Sequence, residues 1–251
     1  MARKLNINKF IWKTNISNFL APGNFDQHFG PTNIPEEVEL PVEVFFCLFP
    51  DTLFEKISFE TNLYATQASA KSGKPFTPTT MQEIKIFFAI NILMGIKHLP
   101  SYRDFWSTKL ELRDTYISNL MPRTRFDWLL GNLHLNNNAL QPKYGEPGFD
   151  KLYKVRPFLN TLSENFAKFY RPSENISIDE SMILFKGRSS LRQYMPNKPI
   201  KRGYKVWVRA SESGYVDQFE IYTGKIGNKS ETNLGARVVT DVDTFISKSA
   251  S

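Results

Sequence analysis

Cysteine is nearly absent from this chain: Cys47 is the only one in 251 residues. No disulfide can form within the chain, and a zinc site built from thiolates of the chain is excluded. Histidine is scarce too, with His28, His98 and His134 scattered along the sequence, which argues against a His-rich metal centre. No apolar run approaches the roughly 20 residues that cross a bilayer. The longest, over residues 84–96, is interrupted by Lys85 and Asn91. Arg3, Lys4 and Lys9 lie near the N-terminus, but no continuous apolar stretch follows them, so they do not open a secretory signal. These absences predict an intracellular protein in a reducing compartment, with no membrane and no small-molecule cofactor among its partners.

The most informative absence is local. Residues 181–211 contain no Asp or Glu, yet they carry Lys186, Arg188, Arg192, Lys198, Lys201, Arg202, Lys205 and Arg209. Those eight cations exceed the net charge of +7 of the whole chain, so everything else sums to −1. The pI near 9.3 is therefore the property of one ribbon. Phe185, Tyr194, Tyr204 and Trp207 are interleaved with the cations. Lys and Arg neutralise phosphates while aromatic rings stack on unpaired bases, so the ribbon reads as a nucleic-acid surface. The blander reading is a solvated charged face.

What is present in quantity is material for a core. Hydrophobic residues make up 41% and Phe alone 21 residues, enough for one large domain or two small ones. Residues 1–36, rich in Asn, Pro and Gly, read as a flexible lead-in. Pro41 suits the first turn of a helix carrying Val44, Phe45, Leu48 and Phe49, stopped by Pro50. Asp51 can cap the next helix, with Leu53, Phe54, Ile57 and Tyr64 on one face. Thr80-Met81-Gln82-Glu83 is a capping box ahead of a helix with Ile84, Phe87, Phe88, Ile92 and Ile96 as its stripe. Ser101-Tyr102-Arg103-Asp104 repeats the capping pattern before Phe105 and Trp106. Helices are expected over 110–120 and after Pro122, the latter with Phe126, Leu129, Leu130 and Leu133 buried. Residues 136–148 read as a loop. Apolar positions from Leu152 to Phe169 form one seam, which Pro157 kinks or restarts.

Beyond Pro172 the period changes. Tyr204, Val206 and Val208 alternate with Lys205, Trp207 and Arg209, and a second alternation runs from Tyr215 to Tyr222. Ser213-Gly214 between them marks an antiparallel hairpin. A Gly- and Lys-containing loop is expected over 224–233 and a helix over 234–245.

Asp179, in Ile176-Ser177-Ile178-Asp179-Glu180, has two readings. A carboxylate at the end of a buried strand can hold Mg²⁺ against phosphate oxygens. Equally, Ser177 to Glu180 fits a capping box opening a helix at Ser181. Elsewhere the candidates are weak. Gly224-Lys225-Ile226-Gly227 lacks the spacing of a phosphate-binding loop, Cys47 sits on an apolar helical face, and His98 and His134 each fall at a helix end.

The residues now in view resemble the piggyBac transposases and their domesticated derivatives. The match lies in Asp150-Lys151-Leu152-Tyr153-Lys154-Val155-Arg156-Pro157, Ile176-Ser177-Ile178-Asp179-Glu180-Ser181-Met182, Phe185-Lys186-Gly187-Arg188, Tyr194-Met195-Pro196-Asn197-Lys198-Pro199 and Gly203-Tyr204-Lys205-Val206-Trp207. It extends over roughly 43–241. The resemblance implies an α+β protein: a flexible segment over 1–36, an all-helical dimerisation and DNA-binding domain over 37–172, and over 173–251 the first part of an RNase H-like catalytic domain with a mixed sheet. It implies that Asp179 is the first catalytic, metal-binding aspartate, with a divalent metal such as Mg²⁺ as cofactor. DNA with transposon-end character would be the partner, with a homodimer allowed and the nucleus as location. The family's other two catalytic aspartates are expected after 234–239. Asp241 and Asp243 lack their context, residues 244–251 depart from the family, and its cysteine-rich end is missing, so an incomplete and inactive catalytic triad is expected. The rival expectation is a non-enzymatic interaction or dimerisation module with no DNA role.

Overall fold

The structure is a computed structural model, and it describes residues 25–224. The expected loop over 224–233, all but its first residue, and the expected helix over 234–245 lie outside the described residues. Among the described residues six α-helices are followed by an antiparallel sheet, an α+β arrangement.

Helix α1 (Pro41–Leu48) opens with Pro41 in its first turn, where the missing N–H removes nothing from the helical ladder. Helix α2 (Asp51–Ser72) begins one residue earlier than a cap at Asp51 would require. Pro50 is the boundary residue, and Asp51 instead pairs with Lys85 at 2.7 Å. Gly73 ends α2 in the left-handed conformation, φ +69°, which a glycine adopts without a Cβ clash. Helix α3 (Met81–Ile96) is capped by the Thr80 hydroxyl, which accepts from the Glu83 N–H. Its buried stripe is Ile84, Phe87 and Ile90. Ile92 and Ile96, expected inside, are 51% and 71% exposed. The helix is apolar all round, so periodicity could not choose the face.

A short 3-10 turn, Tyr102–Trp106, has the expected Ser101 and Asp104 caps. The helix expected over 110–120 is shorter: α4 spans Thr115–Leu120. Asp114 sets its start, because Oδ1 accepts from the Ile117 N–H at 3.0 Å while Oδ2 holds the Lys97 ammonium at 2.5 Å. Helix α5 (Arg123–Asn132) follows Pro122 as expected. Helix α6 (Arg156–Lys168) covers only the second half of the seam. Pro157 lies in its first turn and begins the helix rather than kinking it. Leu152 to Val155 are turns.

The helices enclose a core of Phe54, Ile57, Ile84, Phe87, Ile90, Ile117, Phe126 and Leu129. Phe126 is touched by the rings of Phe87, Tyr102 and Trp106, at 4.9, 5.9 and 5.0 Å between centroids. Each fully buried side chain of this size contributes about 1.5–3 kcal/mol through burial. The core continues into the sheet, since Phe166 and Phe219 pack against it.

The front is not wholly helical. Strand β1 (Gly30–Pro31) pairs with β2 (Tyr170–Arg171), directly after α6. The Thr32 N–H donates to the Phe169 carbonyl at 3.0 Å, and the Asn33 side chain donates to that of Lys168 at 2.8 Å. The lead-in is therefore tied down at residues 30–33.

Strand β3 (Ile176–Leu184) pairs along its full length with β5 (Arg202–Ser211), and β5 pairs on its other side with β4 (Gln193–Tyr194) and β6 (Val216–Ile221). The expected hairpin is β5–β6, with Gly214 at φ +82° in its turn. Every pairing among the described residues is antiparallel, where a mixed sheet was expected. Among the described residues β3 pairs on one side only. Gly203 is required by the closeness of β3 and β5, because a Cβ there would fall on the carbonyl oxygen of Ile183.

Candidate nucleic-acid interface

Asp179 lies in the middle of β3, opposite Val208 of β5. The capping-box reading of Ser177 to Glu180 is overturned: the segment is strand, and no helix begins at Ser181. Its alternation is the reason, since Ile176, Ile178 and Glu180 must share one face of a paired strand and Ser177, Asp179 and Ser181 the other. The second face is open at β3, and the Asp179 side chain is 74% exposed. Its neighbour is Lys198, whose Nζ lies 4.0 Å from Oδ1 and also donates to the Glu180 carbonyl at 3.4 Å.

Glu180 points the other way. Its carboxylate accepts from Lys205 Nζ at 2.5 Å, and the same ammonium sits over the rings of Trp207 and Tyr222, 4.1 and 5.1 Å from their centroids. Glu180 is thus occupied structurally and does not join Asp179. No group of three or more His, Cys, Asp and Glu among the described residues could hold a metal ion. One exposed carboxylate beside an ammonium is not the donor set of a divalent cation, which needs several converging oxygens. The described residues do not by themselves fit the expected metal.

The eight cations of the ribbon divide into three groups. Lys205 and Arg209 are buried. Arg209 is 1% exposed and grips Asp217, with Nη2 at 2.5 Å and Nε at 3.1 Å from Oδ2. These two were expected on a DNA surface and instead brace the inside of the sheet. Strand alternation puts them on a common face, and the acids that neutralise them, Glu180 and Asp217, lie just outside the acid-free window. Arg192 and Lys198 form the second group. Arg192 Nη1 donates to the Gly187 carbonyl at 2.7 Å and so closes the loop 186–192, while Lys198 folds the next turn back onto β3.

The third group is Lys186, Arg188, Lys201 and Arg202, all exposed. None forms an ion pair with a carboxylate among the described residues. They lie in one connection, from the end of β3 to the start of β5. Its frame is aromatic: Phe185 stacks on Tyr204 at 4.8 Å. Gly187 passes over that ring so closely that a Cβ would come 2.5 Å from Phe185 Cζ. Tyr194 and Arg202 face each other across β4 and β5, with the guanidinium 4.9 Å from the ring centroid. This pair was not predicted as a unit, although a Tyr in the acid-free ribbon was the signal; only the β4–β5 register reveals its partner.

A profile of the transposase IS4 family matches residues 40–242. The chain belongs to that family. PiggyBac transposable element-derived protein 3 of Homo sapiens is 32% identical over 212 residues, which are 83% of this chain and 34% of that protein. PiggyBac transposable element-derived protein 2 of Homo sapiens is 31% identical over 209 residues, 82% of this chain and 33% of that protein. Among solved structures, that of a piggyBac transposase synaptic complex with hairpin DNA superposes with a TM-score of 0.73 at 26% identity, covering 87% of this chain and 46% of that one. The piggyBac resemblance read from the sequence is borne out. The chain spans about a third of the length of these curated relatives. Among the described residues no helix of this family member is long and apolar enough to cross a membrane.

Proposed function

We propose that this transposase-derived chain binds DNA through the β3–β5 connection and presents Asp179, the first catalytic aspartate of the family pattern, beside the bound backbone. The observation that carries this reading is the set of four exposed cations without a carboxylate partner among the described residues, Lys186, Arg188, Lys201 and Arg202, in a segment whose other four cations are engaged by carboxylates or backbone carbonyls. Charges left without carboxylate partners beside each other repel, and a polyanion relieves that repulsion by displacing its own condensed counterions. The solved structural neighbour is a transposase complex with hairpin DNA, which supports DNA as the partner.

Lys198 has a particular part in this reading. Its ammonium reaches the carbonyl of Glu180 and the carboxylate of Asp179 from the loop, so it holds the cationic connection against the strand that carries the aspartate. A phosphate drawn to the connection is thereby brought near Asp179. Chemistry on that phosphate would need further carboxylates, since one cannot organise two metal ions. The chain is therefore expected to bind DNA without cutting it, in a nuclear setting. Mg²⁺-dependent cleavage that disappears in Asp179→Ala overturns this expectation.

Salt titration of duplex binding is the test. The observed constant falls steeply with salt, and Lys201→Ala or Arg202→Ala flattens the slope by about 0.9 for each phosphate contact removed. Binding indifferent to salt and to both substitutions favours the rival interaction module. The exposed Ile92 and Ile96 on α3 give that module, or a homodimer, an apolar surface.

A further inference from the structure

Tyr194 is the exposed aromatic of the cationic connection. Tyr194 is 60% exposed; among the described residues its side chain makes no hydrogen bond and stacks on no other ring, and the Arg202 guanidinium lies 4.9 Å from its ring centroid. The other rings of the connection are used differently: Phe185 stacks on Tyr204, and Gly187 crosses close over the Phe185 ring. The position of Tyr194 is also fixed rather than loose. Residues 193–194 pair with 202–203 of β5, the Met195 N–H donates to the Lys201 carbonyl at 2.9 Å, and the Lys198 N–H closes a turn onto the Met195 carbonyl at 3.2 Å. A flat ring is thus held out to solvent at a registered position, with a guanidinium layered over one face.

From this arrangement we infer that Tyr194, backed by Arg202, is a stacking platform for an unpaired nucleobase. The inference rests on the DNA-binding reading above and narrows it: the DNA taken by this connection is single-stranded or opened at the point of contact. In an intact duplex the base faces are stacked against each other and only base edges reach the grooves, so a side-chain ring meets a base face only where a base is unpaired or terminal. A cation over the far side of the ring strengthens this by the attraction of positive charge for the π-face. Lys186, Arg188 and Lys201 in the same connection then track the backbone on either side of the stacked base, the combination by which sequence-tolerant single-strand binding is built. The absence of acids over residues 181–211 matters equally, because no carboxylate of the connection repels the strand.

The test measures fluorescence anisotropy of a labelled mixed-sequence single strand and of the same strand in a blunt duplex, with the full chain. Tyr194→Ala is expected to weaken single-strand binding roughly five- to one-hundred-fold and duplex binding less than about twofold. Tyr194→Phe, which keeps the ring, is expected to bind like the parent, and Tyr194→Leu, which keeps bulk without a π-face, like the alanine variant. Equal losses on both DNAs, no loss on the single strand, or a phenylalanine variant as weak as the alanine one each overturn the stacking platform. Normal salt-dependent duplex binding with no single-strand binding overturns this inference while leaving the DNA-binding reading intact. Failure of the parent chain to bind either DNA overturns both. Because Tyr194 is exposed, circular dichroism should show the variants folded.

Discussion

Two regions of the molecule use the same residue types differently. In the helical front and the sheet interior, the buried and half-buried arginines are joined to carboxylates, whereas exposed cations such as Lys56, Lys71, Lys109, Arg113 and Lys154 form no ion pair among the described residues. Arg125 holds Glu83 at 2.6 and 2.7 Å and donates to the carbonyls of Thr77 and Pro78; Arg156 grips Asp150 at 2.6 Å; Arg209 grips Asp217. In the β3–β5 connection, Lys186, Arg188, Lys201 and Arg202 have no such partner among the described residues. A paired cation is fixed geometry and contributes to the fold. An unpaired one is field, free to meet a partner. What sets the connection apart from the front is that its unpaired cations stand in a stretch, residues 181–211, without a single acid.

The largest way to break the comparison is at Arg209. Replacing either member of a buried pair leaves the other charge stranded, at a cost of about 3–5 kcal/mol. Arg209→Ala and Asp217→Ala are expected to lower the urea midpoint severely, whereas Arg209→Met with Asp217→Leu should recover much of the loss. Next in size is Gly203→Ala, whose methyl must push β5 from the Ile183 carbonyl; overpacking of this kind costs about 1–3 kcal/mol or more. Its mark is increased hydrogen exchange along β3, with the helical core little changed.

A smaller effect is expected with pH. The Arg125 guanidinium, aided by Thr79, holds the Glu83 carboxyl below its ordinary value against the opposing effect of burial. Arg156 acts likewise on Asp150. Carboxyls with depressed folded values stabilise fully above the unfolded value, near 4, and lose that contribution as pH falls through the folded one. Urea stability should therefore decline below about pH 4.5, and less steeply in Glu83→Gln. Tyr215 supplies the opposite limb. Burial first, then the Asp217 and Tyr170 charges, push its phenol up to about 12. The stability this gives is complete below pH 10 and lost as pH rises toward 12; Tyr215→Phe should remove that alkaline decline. The smallest effect on folding is expected at Lys201→Ala, within about 0.5 kcal/mol of the parent.

Much of the fold is legible in the sequence, and the failures have a common cause. Pro41, Thr80, Ser101 and Pro122 mark helix starts because caps and prolines act locally. The β5–β6 hairpin is readable from period-2 alternation and Gly214. The buried face of α3 is not, because an apolar surface all round it leaves the choice to its neighbours, α2 above all. Strand β3 was ambiguous with a helix cap because its partner begins at Arg202, far along the chain. The ribbon of eight cations was visible at once, but which of them face inward depends on the register that sets Lys205 and Arg209 against Glu180 and Asp217. Lys198 beside Asp179, and Tyr194 under Arg202, depend on the path of a loop that no periodicity describes.

The most direct measurement compares the parent with a variant carrying Lys186→Ala, Arg188→Ala and Lys201→Ala, recording both the thermal midpoint and the salt dependence of duplex binding. If unpaired cations are the interface, the midpoint stays put while the slope of log affinity against log salt becomes shallower by up to about three. An unchanged slope with unchanged affinity, or a variant that unfolds, would contradict the division between scaffold and interface.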